Sequence, residues 1–204
     1  MIETNRWNRA RYTLWAPFYD RIGRRFDGCR RESLRMLDVQ PGERVALVGA
    51  GTGSDLPLLR EGCIAVATDL TPAMLGRARA HLRPGLHLSI MDGHELAVRS
   101  GSCDAVVLHL ILAVIPDPVR CLREAARVLR PGGRAIVFDK FTRGSGPSVA
   151  LRLANVFTRV LFTEVTRRFE DILSRADVPL RVVRDEPALL RGLFRILLLQ
   201  KVER

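Results

Sequence analysis

The chain has 204 residues, 47% of them hydrophobic and 27% charged, and its formal net charge is +11. That size and balance suit one α/β domain and exclude a disordered chain. The longest apolar run, Ala105 to Ile115, is interrupted by His109 and is too short to cross a bilayer, and Arg6, Arg9 and Arg11 occupy the place of an apolar leader core.

Residues 4–37 read as helix with a break at Pro17. Leu14, Phe18, Ile22 and Phe26 recur every fourth residue among six Arg, and Trp7 and Trp15, both Trp residues of the chain, stand beside them. A basic helix with such aromatics suits an anionic membrane interface, or else a helix packed on its own domain with a solvated Arg face. From residue 44 short β-branched runs alternate with helical stretches. This predicts strands at 44–49, 63–69, 86–91, 103–110 and 134–139, and helices near 54–60, 72–82, 93–97 and 117–129. The strands are nearly continuous apolar runs, as in a parallel sheet covered on both faces. Thr71-Pro72 opens the second of these helices as cap and first-turn proline, and Pro131-Gly132-Gly133 closes the last. Residues 147–174 read as one long amphipathic helix. The tail reads as strands at 180–184 and 193–202, an antiparallel pair at a sheet edge with Asp185-Glu186-Pro187 in the link. Cys29, Cys63, Cys103 and Cys121 are widely spaced, which predicts no metal site and a reducing, cytoplasmic setting.

The strongest local signal lies where the first strand ends: Gly49-Ala50-Gly51-Thr52-Gly53. Glycines are needed where a backbone turns sharply and a ligand packs against it. A Walker phosphate loop is excluded, because no Gly-Lys-Ser/Thr follows. A nicotinamide dinucleotide wants Gly at the position held by Ser54, whereas S-adenosylmethionine, which has no pyrophosphate, suits the spacing present. Asp69 ends the second strand and is placed to accept from both ribose hydroxyls. Asp92, in Met91-Asp92-Gly93, ends the third, placed to accept from an adenine amino group while Met91 packs on the ring, or else it is a plain turn residue.

From about residue 40 to 141 the ordered set resembles the class I S-adenosylmethionine-dependent methyltransferases. The glycine run resembles their first motif, Thr68-Asp69-Leu70-Thr71-Pro72-Ala73-Met74 their ribose turn, Met91-Asp92-Gly93 their adenine motif, and Glu124 to Gly133 the approach to their fifth strand. The resemblance implies a Rossmann-like fold over 38–204, a lid and membrane-contact segment over 1–37, and cofactor contacts from Gly49 to Gly53, Asp69, Leu70, Met74 and Met91 to Gly93. One position departs: Leu47 stands where the family carries an acid that helps hold the methionyl amino group. Asp55 is expected to take over, or else is a first-turn acid favoured by the helix dipole.

Tyr12 to Asp20 is similar to the lead-in of two subfamilies, one methylating lipoquinone precursors and one N-methylating phosphatidylethanolamine, which implies that Tyr19 closes over the cofactor. His109 is expected to touch the cofactor and to orient or deprotonate the acceptor, and Asp139 to stabilise an ammonium, unless they are a satisfied semi-buried histidine and a turn cap. Lys140, Arg143 and Arg152 are expected at a lipid phosphate. The apolar stretch Leu108 to Ile115 suits a greasy substrate, and no Asn/Asp-Pro-Pro-Tyr/Phe motif of a nucleic-acid methyltransferase follows the fourth strand. The expectation is therefore a methyltransferase peripheral on the inner membrane face, acting on phosphatidylethanolamine and its methylated derivatives. A lipoquinone precursor and a soluble small molecule are the alternatives.

Overall fold

The alternation of side chains along the strands determines which residues meet above and below the sheet. In strand β4 (Cys103–His109) Val106 and Leu108 enter one apolar cluster, and Ala105 and Val107 the other. In β5 (Leu129–Lys140) Ala135 and Val137 join the first cluster, Ile136 and Phe138 the second. A period of two with both faces apolar is the signature of a sheet covered on both sides. A computed structural model describes residues 23–142 and 167–203.

The sheet has seven strands in the order β3-β2-β1-β4-β5-β7-β6. Strands β1 (Arg44–Val48), β2 (Ile64–Asp69) and β3 (Leu86–Ile90) run parallel with β4 and β5. Strand β7 (Phe194–Lys201) pairs antiparallel with β5, and β6 (Leu180–Leu189) closes the edge against β7. The chain leaves β1 towards β2 and β3 and returns on the other side as β4 and β5. A switch point therefore lies between β1 and β4, where this topology opens a crevice at the carboxyl ends of the strands. Helix α1 (Asp27–Leu37) packs on one face, with Leu34 and Leu37 in its cluster. Arg134 of β5 donates to the Leu37 and Asp38 carbonyls at 2.9 and 3.1 Å, which caps that helix. Helix α2 (Pro72–Ala78) follows β2. On the other face lie α3 (Pro118–Val128) and α4 (Phe169–Ala176), with Phe169 against Phe141 at a ring separation of 5.4 Å.

Several boundaries differ from expectation. The helix predicted at 54–60 is a single 3-10 turn, Leu56–Leu58, and the chain turns extended at Leu59. No helix forms at 93–97. There the Asp92 carboxylate takes the His94 amide and Glu124 takes the Leu96 amide, so side chains satisfy donors that a helix would use. Thr71 holds the cap position of α2 without a capping side-chain bond. Pro131-Gly132-Gly133 lies inside β5, since α3 gives way to strand at Leu129. Of the long helix predicted at 147–174, the described part begins only at Phe169, and residues 147–166 lie outside the described residues. Strand β6 runs through Asp185-Glu186-Pro187, with register shifts at Val182/Arg184 and Pro187/Leu189, and the link to β7 is the 3-10 turn Leu190–Gly192. Pro187 is tolerated because an edge strand needs no donor on its outer side. The buried Arg195 of β7 holds that edge by pairing with Asp185 at 2.6 Å and with Glu170 of α4 at 2.8 Å.

Candidate active site

The glycine loop occupies the switch point. Gly49, Gly51 and Gly53 have φ of +69°, +57° and +81°, a region that side-chain-bearing residues avoid. They do different work. A Cβ on Gly49 would meet Ile111 Cδ1 at 2.6 Å, across the crevice mouth. A Cβ on Gly53 would meet Ala78 Cβ at 2.8 Å, so this glycine seats the loop on α2. The crevice encloses about 860 Å³ including its open mouth. Gly49, Ala50, Gly51 and Thr52 line it, joined by Ser54, and Gly53 does not.

Asp69 lines the crevice from the tip of β2. Its Oδ2 accepts from the Gly51 amide at 2.9 Å and its Oδ1 from the Thr71 amide at 2.8 Å. Burial pushes this carboxyl above the usual range, against those hydrogen bonds, which lower it. The same geometry distinguishes between ligands. The Gly51 amide is taken by a carboxylate, and no α-helix starts behind the loop, so neither feature of a pyrophosphate site is present. An uncharged ribose, donating hydroxyls to Asp69, fits. Leu70, Thr71 and Met74 continue that wall.

At the tip of β3, Met91, Asp92 and Gly93 line the crevice. Asp92 is braced by a residue the sequence reading passed over. His94 Nε2 accepts from the Asp117 amide at 3.1 Å, which leaves the proton on Nδ1, 2.7 Å from Asp92 Oδ1. The Asp92-Gly93-His94 spacing was the available signal for it.

The floor between β1 and β4 is a buried polar chain. Asp55 Oδ2 lies 2.6 Å from Arg30 Nη1, and Asp55 Oδ1 lies 2.8 Å from His109 Nδ1. His109 Nε2 lies 2.8 Å from Ser33 Oγ. With the imidazole donating to Asp55, Nε2 accepts from the Ser33 hydroxyl. Burial raises the Asp55 carboxyl, but His109 and Arg30 outweigh it and hold the group well below the usual carboxylate range. Arg30 and His109 line the crevice and Asp55 does not. Asp55, expected to hold an amino group directly, is absent from the crevice lining and is bonded to Arg30 and His109. His109, expected to act on an acceptor, has both ring nitrogens engaged. Leu47 is 1% exposed in the core, so no acid stands at its place. Arg30 and Ser33 were missed, because nothing in the sequence distinguishes this Arg from its neighbours.

An apolar wall of the crevice is formed by Leu110, Ile111, Val114, Ile115 and Pro116. Leu110 adopts φ of +56° and donates to the Phe138 carbonyl at 2.7 Å, a costly conformation held by β5. Asp139, 1% exposed, does not line the crevice; it accepts from the Ala113 amide at 2.9 Å and the Lys140 amide at 2.8 Å. Burial pushes its carboxyl up to about 6, against those two bonds and the charges of Lys140 and Arg167. Arg167 Nη1 donates to the Leu112 and Ile115 carbonyls at 2.6 and 2.7 Å. Asp139 and Arg167 thus clamp the wall from behind. Lys140 follows Asp139, half-buried, and burial lowers its ammonium. Tyr19, Arg143 and Arg152 lie outside the described residues. Among the described residues no helix is long and apolar enough to cross a membrane, and no metal-binding cluster is found.

The chain is similar to known proteins. The methyltransferase-domain family matches residues 47–137. A phosphatidylethanolamine N-methyltransferase from Cereibacter sphaeroides is 33% identical over 196 residues, covering 93% of this chain and 95% of its own. A demethylmenaquinone methyltransferase from Beutenbergia cavernae is 34% identical over 149 residues, covering 67% of this chain and 62% of its own. Among solved structures, the Haloferax volcanii complex of the Trm112 methyltransferase activator with a methyltransferase matches at a TM-score of 0.77, with 17% identity, covering 94% of this chain and 98% of that one. Geranyl diphosphate methyltransferase in complex with SAM matches at 0.72, with 16% identity, covering 86% and 85%.

Proposed function

The chain belongs to the S-adenosylmethionine-dependent methyltransferases, with S-adenosylmethionine as its cofactor, and from that premise we propose that it N-methylates phosphatidylethanolamine and its methylated derivatives at an anionic membrane surface. The observation that carries this reading is the match to a phosphatidylethanolamine N-methyltransferase along 93% of the chain, at 33% identity.

S-adenosylmethionine would supply a sulfonium methyl group, transferred to the acceptor nitrogen with the thioether as leaving group once the headgroup ammonium has given its proton to water. The chain's own residues orient and exclude water. Asp69 and Asp92 offer carboxylate oxygens to the adenosine end from two neighbouring strand tips. The glycine loop brings bare backbone against the ligand. Leu110, Ile111, Val114 and Ile115 form an apolar wall that excludes water from the crevice. His109 is the single imidazole lining the crevice among the described residues, and its nitrogens are bonded to Asp55 and Ser33. The basic N-terminal stretch, with Arg143 and Arg152 further on, supplies positive charge for anionic headgroups.

The test is incubation with radiolabelled S-adenosylmethionine and phosphatidylethanolamine, demethylmenaquinol or RNA, with and without anionic vesicles. Label in the phospholipid fraction, rising with anionic lipid, is expected. Label confined to quinol or RNA overturns the reading. Loss of vesicle co-sedimentation on deleting residues 1–22, which leaves Phe26 in its packing against Phe138 and Phe194, is expected of a membrane-contact segment, and unchanged sedimentation rejects it.

A further inference from the structure

Charge is unevenly distributed around the crevice. Its two acids, Asp69 and Asp92, stand at the tips of β2 and β3. The one Lys or Arg side chain among its described lining residues is Arg30, from α1. Arg30 is 5% exposed, and its partner Asp55 and that partner's partner His109 place it at the other end, beside the loop that follows β1 and the tip of β4. The crevice therefore has an acceptor-rich end for donor groups and a cationic end for an acid.

Burying a guanidinium and a carboxylate together costs more desolvation than their attraction returns unless the geometry is good, and apolar residues of similar size would stabilise such a site as well. A buried pair that presents its cation to a ligand crevice, with the anion turned behind it, suits recognition more than stability. Asp55 is held in turn: His109 fixes one oxygen at 2.8 Å, and Ser33, one turn on from Arg30, fixes the far side of the imidazole at 2.8 Å. The chain closes on α1 at both ends, which removes rotamer freedom from the guanidinium before any ligand arrives.

We propose that Arg30 binds the carboxylate of the cofactor's methionyl tail, and that Asp55, His109 and Ser33 are positioning residues that aim its guanidinium. This rests on S-adenosylmethionine as the cofactor. It also gives Asp55 an indirect role: the acid steers the cation that meets the ligand's acid, and does not itself meet the ligand's amine.

The readout is ligand-selective affinity, measured by titration calorimetry with two adenosyl thioethers, S-adenosylhomocysteine, which has the amino-acid tail, and 5′-methylthioadenosine, which lacks it. The wild type is expected to bind both. Arg30→Met combined with Asp55→Asn removes the buried pair together, and should lose roughly 10- to 100-fold in affinity for S-adenosylhomocysteine, the scale of a charge-assisted hydrogen bond. Its affinity for 5′-methylthioadenosine should change less than about twofold, because the adenosine end is untouched. Arg30→Lys keeps a cation beside Asp55 but loses the planar fork, and should show a smaller loss with the same selectivity. Equal losses on both ligands would mean a structural role, and no loss on either would mean no contact; both overturn the inference. A wild type that binds neither compound overturns the cofactor assignment instead.

Discussion

Asp139 is the most sharply testable group behind the active-site wall. It is 1% exposed, accepts from the Ala113 and Lys140 amides, and titrates near 6 because burial disfavours its charge. In the unfolded chain an Asp titrates near 3.9. Between those two values the native state holds a proton that the unfolded state has released, so stability falls as pH rises through about 4 to 6 and levels off above. A shift of about two units corresponds to roughly 3 kcal/mol over the full window, and about 2 kcal/mol of it falls between pH 4.5 and 7.5. Asn at this position cannot titrate. It offers one oxygen to two amides, so Asp139→Asn leaves one backbone donor facing an NH₂ and costs about 1–3 kcal/mol at low pH. The expectation is that the variant is less stable than wild type near pH 4.5 and that the gap narrows by about 2 kcal/mol at pH 7.5. Urea denaturation of both proteins at both pH values measures this, and the double difference cancels the other titrating groups. Asp55, held far below the usual range, titrates in the native state beneath this window, and its stabilising contribution is lost only in stronger acid. A gap that stays constant between the two pH values would show that Asp139 is ionised throughout, and would refute the desolvation argument.

Other consequences follow from single contacts. Gly53→Ala forces φ of +81° on a residue with a Cβ and drives that Cβ to 2.8 Å from Ala78 Cβ, so a loss of about 2–4 kcal/mol is expected, read as a fall in Tm of roughly 5–15 °C. An unchanged Tm by scanning calorimetry would show that the loop is not seated on α2 by that contact. Arg167→Met removes the donor shared by the Leu112 and Ile115 carbonyls, so amide hydrogen exchange at Ala113 and Val114 should accelerate at least tenfold. Protection equal to wild type would mean that the wall holds itself.

The parts of this molecule that were readable in advance are those encoded by neighbours in sequence. A strand covered on both faces must be apolar throughout, so Ala105 to Leu108 announces itself. A loop that turns three times needs Gly49, Gly51 and Gly53 in one run. Asp69 and Asp92 each follow a strand that is itself visible, so the two acids of the crevice could be placed from order alone. What escaped was whatever depends on partners distant in the chain. Glu124 reaches 28 residues back to satisfy the Leu96 amide, and a stretch with helical residues stays irregular. Arg195 reaches Asp185 across the final hairpin, and a segment that reads as a turn becomes strand. The floor of the crevice is the extreme case, since Arg30 and Asp55 are 25 residues apart and Ser33 and His109 are 76 apart. No period or motif links those positions. Their meeting is a product of the switch in strand order, which brings β4 beside β1, while α1 crosses the neighbouring β5. The acid expected two positions before the first glycine could thus be lost to Leu47 without emptying the site of charge, because the fold delivers a charged pair to the same floor from two other places in the chain.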